Sequence, residues 1–463
     1  MAGAPAAAAW VDSARVESLA SKLGDPKEFS DRRSEALHLF RELPLEPDPL
    51  YRQYGYFQGV DLTGIDPTLP GSPTPLARAV PGSVRIVHDA SGTRVELDPQ
   101  LAAEGVRVDP MEKIWKGDAS NLERFLGPVE APTDRLTALS IALLNRGYRL
   151  EIPDGYARPV HVQDLTVLSR PHEALSVRRS IRAGKESQLL FTEEVFSTGQ
   201  PTEGQRFYAS ALDLELGSGA KAVALGSHTP DRETVGFYHR RGDVGPAARL
   251  AWIWLGLGGR STKARNDTVL SGNGSVVHDL QTFYGDGHQS YDSAIRITHT
   301  GLDTHGESVT RGVFTDEARG MSRGLVRIER EARKTISFIS EHAMLLSRGA
   351  RSDTLPILEI LCRDVKATHS TSVAPVDPEK VFYLESRGID RPSAVRMISE
   401  GFLSFVLERA PLAGLRDAVQ PILQTRWDRG ELFWTEDGRR PLPTLQVTGT
   451  DAAPDWRFDT KMR

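Results

Sequence analysis

The stretch from Thr335 to Val373, TISFISEHAMLLSRGARSDTLPILEILCRDVKATHSTSV, decides the fold class. It contains four short runs of β-branched and aliphatic residues, with a turn-forming segment at 348–353. The runs are 335–339, 343–346, 355–361 and 365–373. Apolar runs of this length, bounded by Gly, Asp and Ser, are typical of β-strands. The stretch therefore predicts consecutive strands with no helix between them.

The same pattern extends upstream to about Glu151. Short runs recur at 160–167, 309–314 and 324–328, and helical periodicity is almost absent as far as Pro375. The segment indicates one large β architecture rather than a mixture of helices and strands. A β-sandwich, a propeller and a solenoid all fit, because no strict sequence repeat chooses among them.

Helices are predicted on both sides of this region. Apolar spacing predicts a helix from Val11 to a stop at Gly24, a second from Pro26 to Leu43, and a third at 133–145 that ends at Gly147. The segment 44–75 is rich in Pro, Gly and Tyr and predicts a packed loop.

Downstream, Asp390 is a good N-cap and Pro392 suits the first turn of a helix. Five apolar residues with helical spacing predict its buried face: Val395, Ile398, Phe402, Phe405 and Val406. A second helix at 412–423 would complete a hairpin, and the residues after Asp428 look like an appended tail.

Composition excludes several classes of protein. The 463 residues are 39% hydrophobic and 26% charged, as in ordinary globular chains, and the net charge is −5. That slight negative balance argues against a dedicated nucleic-acid binder or a polybasic membrane binder. The single cysteine, Cys362, excludes an internal disulfide and a four-thiolate metal site, and its surroundings favour a structural thiol.

Membrane insertion and export are also not expected. The most apolar run, 250–259, has ten residues, about half of what a bilayer requires. The first residues are small and apolar but lack the cationic start of a signal peptide. We therefore expect a cytoplasmic protein.

Histidines and acids crowd into 288–305, where His288, Asp292, His299, Asp303 and His305 could form a metal site. The turn expected at Gly301 separates them, which favours turn and surface histidines instead. Asp292 and Asp303, together with Asp286, are also the only candidates for a polysaccharide-active β-helix enzyme, which would use clustered acids.

Two further patterns are weaker. The segment 256–263 is rich in Gly but lacks the spacing of a phosphate-binding P-loop, so nucleotide binding by this chain is not expected. Basic residues at 240–265 surround Trp252 and Trp254 and could bind single-stranded nucleic acid. The alternation of these rings with Ile253 favours a buried strand.

Several segments, in this order, resemble the SufB/SufD family of iron–sulfur cluster assembly proteins. They are SRGLVRI at 322–328, LPILEILCRDVK at 355–366, THST at 368–371 and VFYLESRGI at 381–389. GDGHQ at 285–289, with Asp292 and ITH at 297–299, is similar to the SufD branch in particular.

The resemblance implies a fold that the strand pattern alone leaves open. It implies a mostly β chain with a right-handed parallel β-helix core, flanked by an N-terminal helical region and a C-terminal helical hairpin. The expected domains are an N-terminal region at 1–150, the β-helix at 151–376, an ATPase-docking region at 377–427 and a tail at 428–463.

The resemblance also implies a function. The chain would be a non-catalytic scaffold subunit that works with a SufC-type ABC ATPase and with a SufB-type paralogue or a second copy of itself. The ATPase would dock on the C-terminal helices, and the matching residues are Phe382, Tyr383, Arg387, Gly388 and Phe402. Nucleotide chemistry in a partner would explain why this chain needs no P-loop.

His369 lies where SufD-type members place an interface histidine implicated in cluster formation. A neutral imidazole there could bind iron, or it could be a hydrogen-bonded interface residue. The family often has a cysteine where this chain has Ala367, and the SufB branch has an essential cysteine near the position of Glu341. These departures favour a supporting role, with no stably bound cofactor and at most a transient iron–sulfur cluster at a subunit interface.

Overall fold

The structure is a computed structural model that describes residues 10–46, 60–74, 81–117, 119–126, 132, 134–198, 204–412 and 414–429. Helices in these residues lie at both ends of the chain. They are α1 Ser13–Leu23, α2 Lys27–Glu42, α3 Pro99–Ala103, α4 Met111–Ile114, α5 Ala119–Leu126, α6 Arg135–Ala142, α7 Pro378–Glu385, α8 Arg391–Arg409 and α9 Leu415–Arg429. No helix within the described ranges is both long enough and apolar enough to cross a membrane.

Strands occupy most of the region between α6 and α7. Three strands precede this region: β1 Ser83–Asp89, β2 Gly92–Leu97 and β3 Arg107–Pro110. The remainder are β4 Leu144–Ile152, β5 Pro159–Leu168, β6 Ala174–Ala183, β7 Gln188–Ser197, β8 Arg206–Leu216, β9 Lys221–Thr229, β10 Thr234–Val244, β11 Arg249–Gly256, β12 Ser261–Leu270, β13 Val276–Gly285, β14 Ser290–His299, β15 His305–Phe314, β16 Arg319–Ile328, β17 Thr335–Leu345, β18 Arg351–Ile360 and β19 Val365–Pro375.

The strands from β4 to β19 form a parallel β-helix of about eight coils. Each strand pairs in parallel with the strand two places along the chain, so even-numbered strands build one sheet and odd-numbered strands build the other. One coil therefore contributes one strand to each sheet. This pairing selects the solenoid from the three architectures that the sequence left open, and it confirms the expected β-helix between helical ends.

The two ends of the β-helix differ. At the first coil, β3 runs antiparallel to β4, while β1 pairs with β5 and carries β2 on its other edge. At the last coil, β18 and β19 are the outermost strands of the two sheets. Within the described residues no further strand pairs with them, so their outer backbone edges face solvent.

Helices cover the outer face of each sheet. On the odd-numbered sheet, Ile253 and Val309 belong to one apolar cluster with Leu403 of α8 and Val419 of α9. On the even-numbered sheet, Phe207 and Phe237 form a cluster with residues of α1, α2 and α6, including Leu37 and Leu139. The C-terminal helices therefore lie along the side of the β-helix, and the last coil remains open.

Several local predictions are confirmed. Gly24 ends α1 with φ +63°, and Asp390 caps α8 by accepting a hydrogen bond from the Ser393 amide. Trp252 and Trp254 are buried in β11, as their alternation indicated. The runs at 335–339 and 343–346 prove to be one strand, β17, because the ladder with β15 and β19 continues through the residues between them.

The prediction of a helix at 133–145 was partly wrong. The helix α6 ends at Ala142, and β4 begins at Leu144. Gly147 lies inside β4 rather than at a helix end, where a Cβ atom would come within 2.5 Å of the Arg178 carbonyl oxygen and 2.8 Å of the Phe125 ring. The glycine allows α5 to pack closely on the strand and does not stop a helix.

The buried face predicted for α8 was also partly wrong. Val406 is buried as expected, but Phe405 is 42% exposed, and the buried side is completed by Ala394, Leu403 and Leu407. The helix has apolar residues on more than one side, so spacing alone did not identify the covered face. The tail after 429 and residues 47–59 of the predicted loop lie outside the described residues.

Candidate functional site

His369 lies on β19, the outermost strand of the odd-numbered sheet. It stands in register with Ile339 of β17, and its side chain is exposed. Its neighbour by alternation, Ala367, packs against the interior apolar cluster of the β-helix. Because side chains alternate along a strand, His369 points toward the interior side, where no further coil covers it. Its imidazole is therefore accessible at the open end.

A second histidine lies close by but on the opposite face of the sheet. The imidazole of His342 on β17 contacts the hydroxyl of Ser372 through Nδ1 at 2.5 Å and that of Ser370 through Nε2 at 3.4 Å. Burial, followed by the charge of Arg311, lowers the pKa of His342 below its ordinary value. The sequence alone does not identify this residue, because only the strand register brings it beside β19.

Glu341, the residue before His342 in β17, has a buried carboxyl group. The hydroxyl of Ser322 on β16 donates a hydrogen bond to Glu341 Oε1 at 2.5 Å. Burial raises the pKa of Glu341 to about 7, and the Ser322 hydrogen bond only partly opposes this effect. This position therefore holds a carboxyl group whose pKa lies near neutral pH.

The structure does not gather the other candidate metal ligands. His299 is buried and its imidazole contacts the hydroxyls of Thr304 at 2.8 Å and Ser337 at 3.2 Å, so the expectation of a turn or surface histidine was wrong for this residue. His288 is exposed beside Glu317. In the part of the chain that the structure describes, no three His, Cys, Asp or Glu side chains converge as a metal site requires. His369 is thus not part of a three-ligand metal cluster among the described residues.

The last coil also exposes large apolar side chains. Ile360 and Leu361, at the end of β18, are 42% and 48% exposed, and Val373 of β19 is 39% exposed. These residues border the free backbone edges of both sheets. An exposed strand edge flanked by apolar side chains is a surface on which another chain can add strands.

The helix α7 presents an aromatic surface. Phe382 and Tyr383 are 71% and 57% exposed, whereas Val381 in the same helix is fully buried. The Arg387 guanidinium lies 5.1 Å from the centre of the Tyr383 ring, and Gly388, with φ +87°, follows the helix. The structure thus brings together four of the five residues expected to dock a partner.

Phe402, the fifth residue, has a different environment. It is half-buried on α8, where the Arg311 guanidinium of β15 lies 5.6 Å from its ring centre and 4.7 Å from that of Phe405. Arg409, near the end of α8, forms an ion pair with Glu307 of β15. Phe402 therefore links the exposed helical surface to the β-helix beneath it.

The GDGHQ segment at 285–289 anchors the last described helix. Arg426 of α9 is 2% exposed and donates hydrogen bonds to Asp286 Oδ1 at 2.8 Å and to Gln289 Oε1. Its guanidinium also lies 5.6 Å from the Tyr284 ring centre. Asp286 thus has a structural partner, which the sequence could not show because Arg426 is 140 residues away.

Several of the residues behind the two alternative functions make internal contacts. Asp292 pairs with Arg323 at 2.5 Å, so it does not join Asp286 in a carboxylate pair that could hydrolyse a polysaccharide. In the basic stretch, Arg240 pairs with Glu193 and Lys263 with Glu46, both in buried positions. These side chains offer no exposed surface to a nucleic acid.

Comparisons with known proteins agree with this architecture. The family model described as "SUF system FeS cluster assembly, SufBD core domain" matches residues 166–402, just over half of the chain. The iron–sulfur cluster assembly protein SufD of Bacillus subtilis is 25% identical over 429 residues, covering 90% of this chain and 98% of the relative. SufB of the same organism is 21% identical over 317 residues, covering 68% of each chain.

A SufBD family protein of Staphylococcus saprophyticus is 28% identical over 163 residues, or 35% of each chain. The match to the family model spans the β-helix from β5 and continues into α8. The chain therefore belongs to the SufB/SufD family of iron–sulfur cluster assembly proteins, as a homologue of SufD.

Proposed function

We propose that this protein is a non-catalytic, SufD-like scaffold subunit that joins a SufB-type chain, or a second copy of itself, through its last coil and docks a SufC-type ATPase through α7 and α8. One observation carries the proposal. Of the nine large hydrophobic side chains exposed in the described residues, seven lie on the last coil or on these two helices. They are Ile360, Leu361, Val373, Phe382, Tyr383, Met397 and Phe405.

The last coil suits pairing with a related β-helix. Its two strand edges offer unpaired backbone groups, and a partner with a similar open end could continue both sheets. His369 lies on this coil, so pairing would place its imidazole between two chains. The nascent cluster would be cargo at that junction, with His369 supplying at most one ligand and the partner supplying others.

The aromatic surface of α7 suits a partner that changes conformation as it binds and hydrolyses nucleotide. The rings of Phe382 and Tyr383 can fill apolar pockets on an ATPase, and Phe402 and Arg409 would pass its movements to β15. Nucleotide binding would then shift the equilibrium between two arrangements of the subunits. The size of that shift is limited by how much more tightly the nucleotide binds in one arrangement than in the other. The chemistry of ATP would remain in the partner.

The docking surface is tested with the double variant Phe382→Ala and Tyr383→Ala. Removing both rings should reduce capture of the SufC-type ATPase by at least tenfold, because buried aromatic anchors supply much of the affinity of an interface. The matched control is Leu302→Ala, which removes an exposed hydrophobic side chain (38%) from a turn between β14 and β15. Undiminished capture by the double variant, measured by calorimetry or affinity copurification, would reject this docking site.

The role of His369 is tested by His369→Ala in cells that depend on this protein for cluster delivery. If the imidazole contacts iron during assembly, the activity of iron–sulfur enzymes should fall while the amount of the complex stays constant. His288→Ala is the control, because His288 is an exposed histidine on the turn between β13 and β14. Normal cluster delivery with His369→Ala would remove this residue from the site.

A further inference from the structure

Arg311 of β15 is a buried cation, only 8% exposed. Its Nη1 atom donates hydrogen bonds to the Thr310 carbonyl oxygen at 3.0 Å and to the Ser340 hydroxyl at 3.1 Å. Both acceptors are neutral, and among the residues that the structure describes no carboxylate forms an ion pair with this guanidinium. The two hydrogen bonds therefore hold the guanidinium in place but do not neutralise its charge.

Other buried arginines of this fold are neutralised from within. Six of them, in the described part of the chain, pair directly with a carboxylate: Arg33, Arg179, Arg206, Arg240, Arg323 and Arg426. Such pairing is expected, because a buried charge is costly unless a group of opposite charge compensates it. The contrast indicates that the counterion of Arg311 comes from outside the described chain.

Two aromatic rings place Arg311 at the edge of α8. Its guanidinium lies 5.6 Å from the ring centre of Phe402 and 4.7 Å from that of Phe405. The ring faces attract the cation but are neutral, so they do not balance its charge. Phe405 is 42% exposed, and Met397 on the same helix is 50% exposed. Arg311 thus borders the proposed docking surface.

A second cation adds to the positive potential at this edge. The Arg409 guanidinium lies 5.4 Å from the centre of the same Phe405 ring. Burial, followed by the charge of Arg409, lowers the pKa of Arg311 to about 10. The carboxylate of Glu307 pairs with Arg409, and its other oxygen lies 3.5 Å from His278 Nδ1. Glu307 therefore serves Arg409 rather than Arg311.

The environment of Arg311 suits a carboxylate on a protein side chain. A guanidinium donates two parallel hydrogen bonds to a carboxylate, and such charge-assisted pairs are the strong ones. The exposed side chains of Met397 and Phe405 would be covered by a docked partner, which would also exclude water from the pair. A charge pair without water is stronger than one in solvent.

We propose that Arg311 receives an aspartate or glutamate side chain of the ATPase that docks on α7 and α8. This inference rests on the docking proposed above and adds the charged contact that orients the partner against β15. The aromatic rings of α7 would supply apolar affinity, and Arg311 would select a partner with an acid at the matching position.

Calorimetry of the full-length protein with the SufC-type ATPase of its own organism tests the role of the charge. Arg311→Gln should weaken binding at least about tenfold, because truncating one member of a buried charge pair is costly. Arg311→Lys keeps the charge without the planar fork and should lose less. Arg296→Gln is the control, since Arg296 is 54% exposed on the even-numbered sheet, away from α8. Thermal melting verifies that each variant is folded.

A double-mutant cycle identifies the partner's acid. Exposed Asp and Glu residues of the ATPase are changed one at a time to Asn or Gln, and each variant is titrated against the parent chain and against Arg311→Gln. One acid should weaken binding to the parent at least about tenfold and to Arg311→Gln less than about twofold, because coupled residues are not additive.

The outcomes separate this inference from the docking on which it rests. Full affinity of folded Arg311→Gln, or equal effects of every acid in both backgrounds, would overturn the role of Arg311 and leave the docking in place. An ATPase that does not bind the parent chain at all would reject the docking and this inference together.

Discussion

Glu341 is a buried carboxyl group that is protonated over much of the neutral range. Its pKa is about 7 in the folded chain against an ordinary value near 4.5, chiefly because of burial. The folded state therefore binds a proton more tightly than the unfolded state. Stability contributed by this group is fully present below about pH 4.5 and is lost as the pH rises toward 7.

Glu341→Gln should remove the loss of stability that accompanies a rise in pH toward 7. We expect the variant and the parent to be equally stable near pH 4.5 and the variant to be more stable by about 2–3 kcal/mol at pH 8, since each pKa unit corresponds to about 1.4 kcal/mol. The amide can still accept the Ser322 hydrogen bond. Urea denaturation at several pH values measures the difference, and a gap that does not widen with pH would contradict the assigned pKa.

Only some of the residues buried in the β-helix interior were predictable from the sequence. The alternation around Trp252 and Trp254 identified them as buried. The polar interior was not foreseen: Arg179 donates to both oxygens of Asp164 at 2.7 and 2.8 Å, and Arg240 donates to Glu193 at 2.8 Å, all buried in the β-helix. A single charged residue within a strand pattern suggests an exposed position. Only the register of neighbouring coils shows that it pairs with an opposite charge in the interior.

The anchor of α9 makes a prediction at the scale of the element. Arg426→Gln removes the buried ion pair that joins α9 to Asp286, and we expect faster hydrogen exchange throughout α9, because breaking a buried ion pair is strongly destabilising. Arg232→Gln is a matched control, since Arg232 also lies 2.8 Å from Asp286 Oδ1 but is 39% exposed.

Exchange in α9 should change little with Arg232→Gln, because exposed ion pairs contribute little to stability. If both substitutions accelerate exchange in α9 equally, the burial of Arg426 is not what holds the helix in place.

Element boundaries were predicted best where local chemistry determines them. Gly24 and Asp390 act through their own backbone or side chain, so the C-terminal end of α1 and the start of α8 followed from sequence. Gly147 has its role because α5 and β6 pack against it, and the exposed face of α8 depends on which sheet lies beneath. Tertiary packing of this kind leaves no local pattern.

The architecture of the whole molecule was the hardest feature to derive from the residues. Alternation shows which side chains are buried, but it does not show which strands pair, so a sandwich, a propeller and a solenoid remained possible. The motifs at 322–328 and 355–366 resolved this through family resemblance. In the structure, the first motif lies in β16 and the second spans β18 and the start of β19, so both belong to the last two coils.

The open end should determine how the molecule assembles. Ile360→Lys with Val373→Lys adds charge at both free edges, and lysine at an edge opposes strand pairing. These substitutions should prevent association with a SufB-type chain, or with a second copy, and should leave the fold intact because both positions are exposed. Val269→Lys, at a site 38% exposed on β12, is the control.

Native mass spectrometry of this chain coexpressed with the SufB-type and SufC-type proteins of its own organism tests the central proposal most directly. We expect one complex that contains all three. Ile360→Lys with Val373→Lys should lose the SufB-type chain and keep the ATPase, whereas Phe382→Ala with Tyr383→Ala should lose the ATPase and keep the SufB-type chain. A parent chain that remains a monomer, or variants that both assemble as the parent does, would contradict the account.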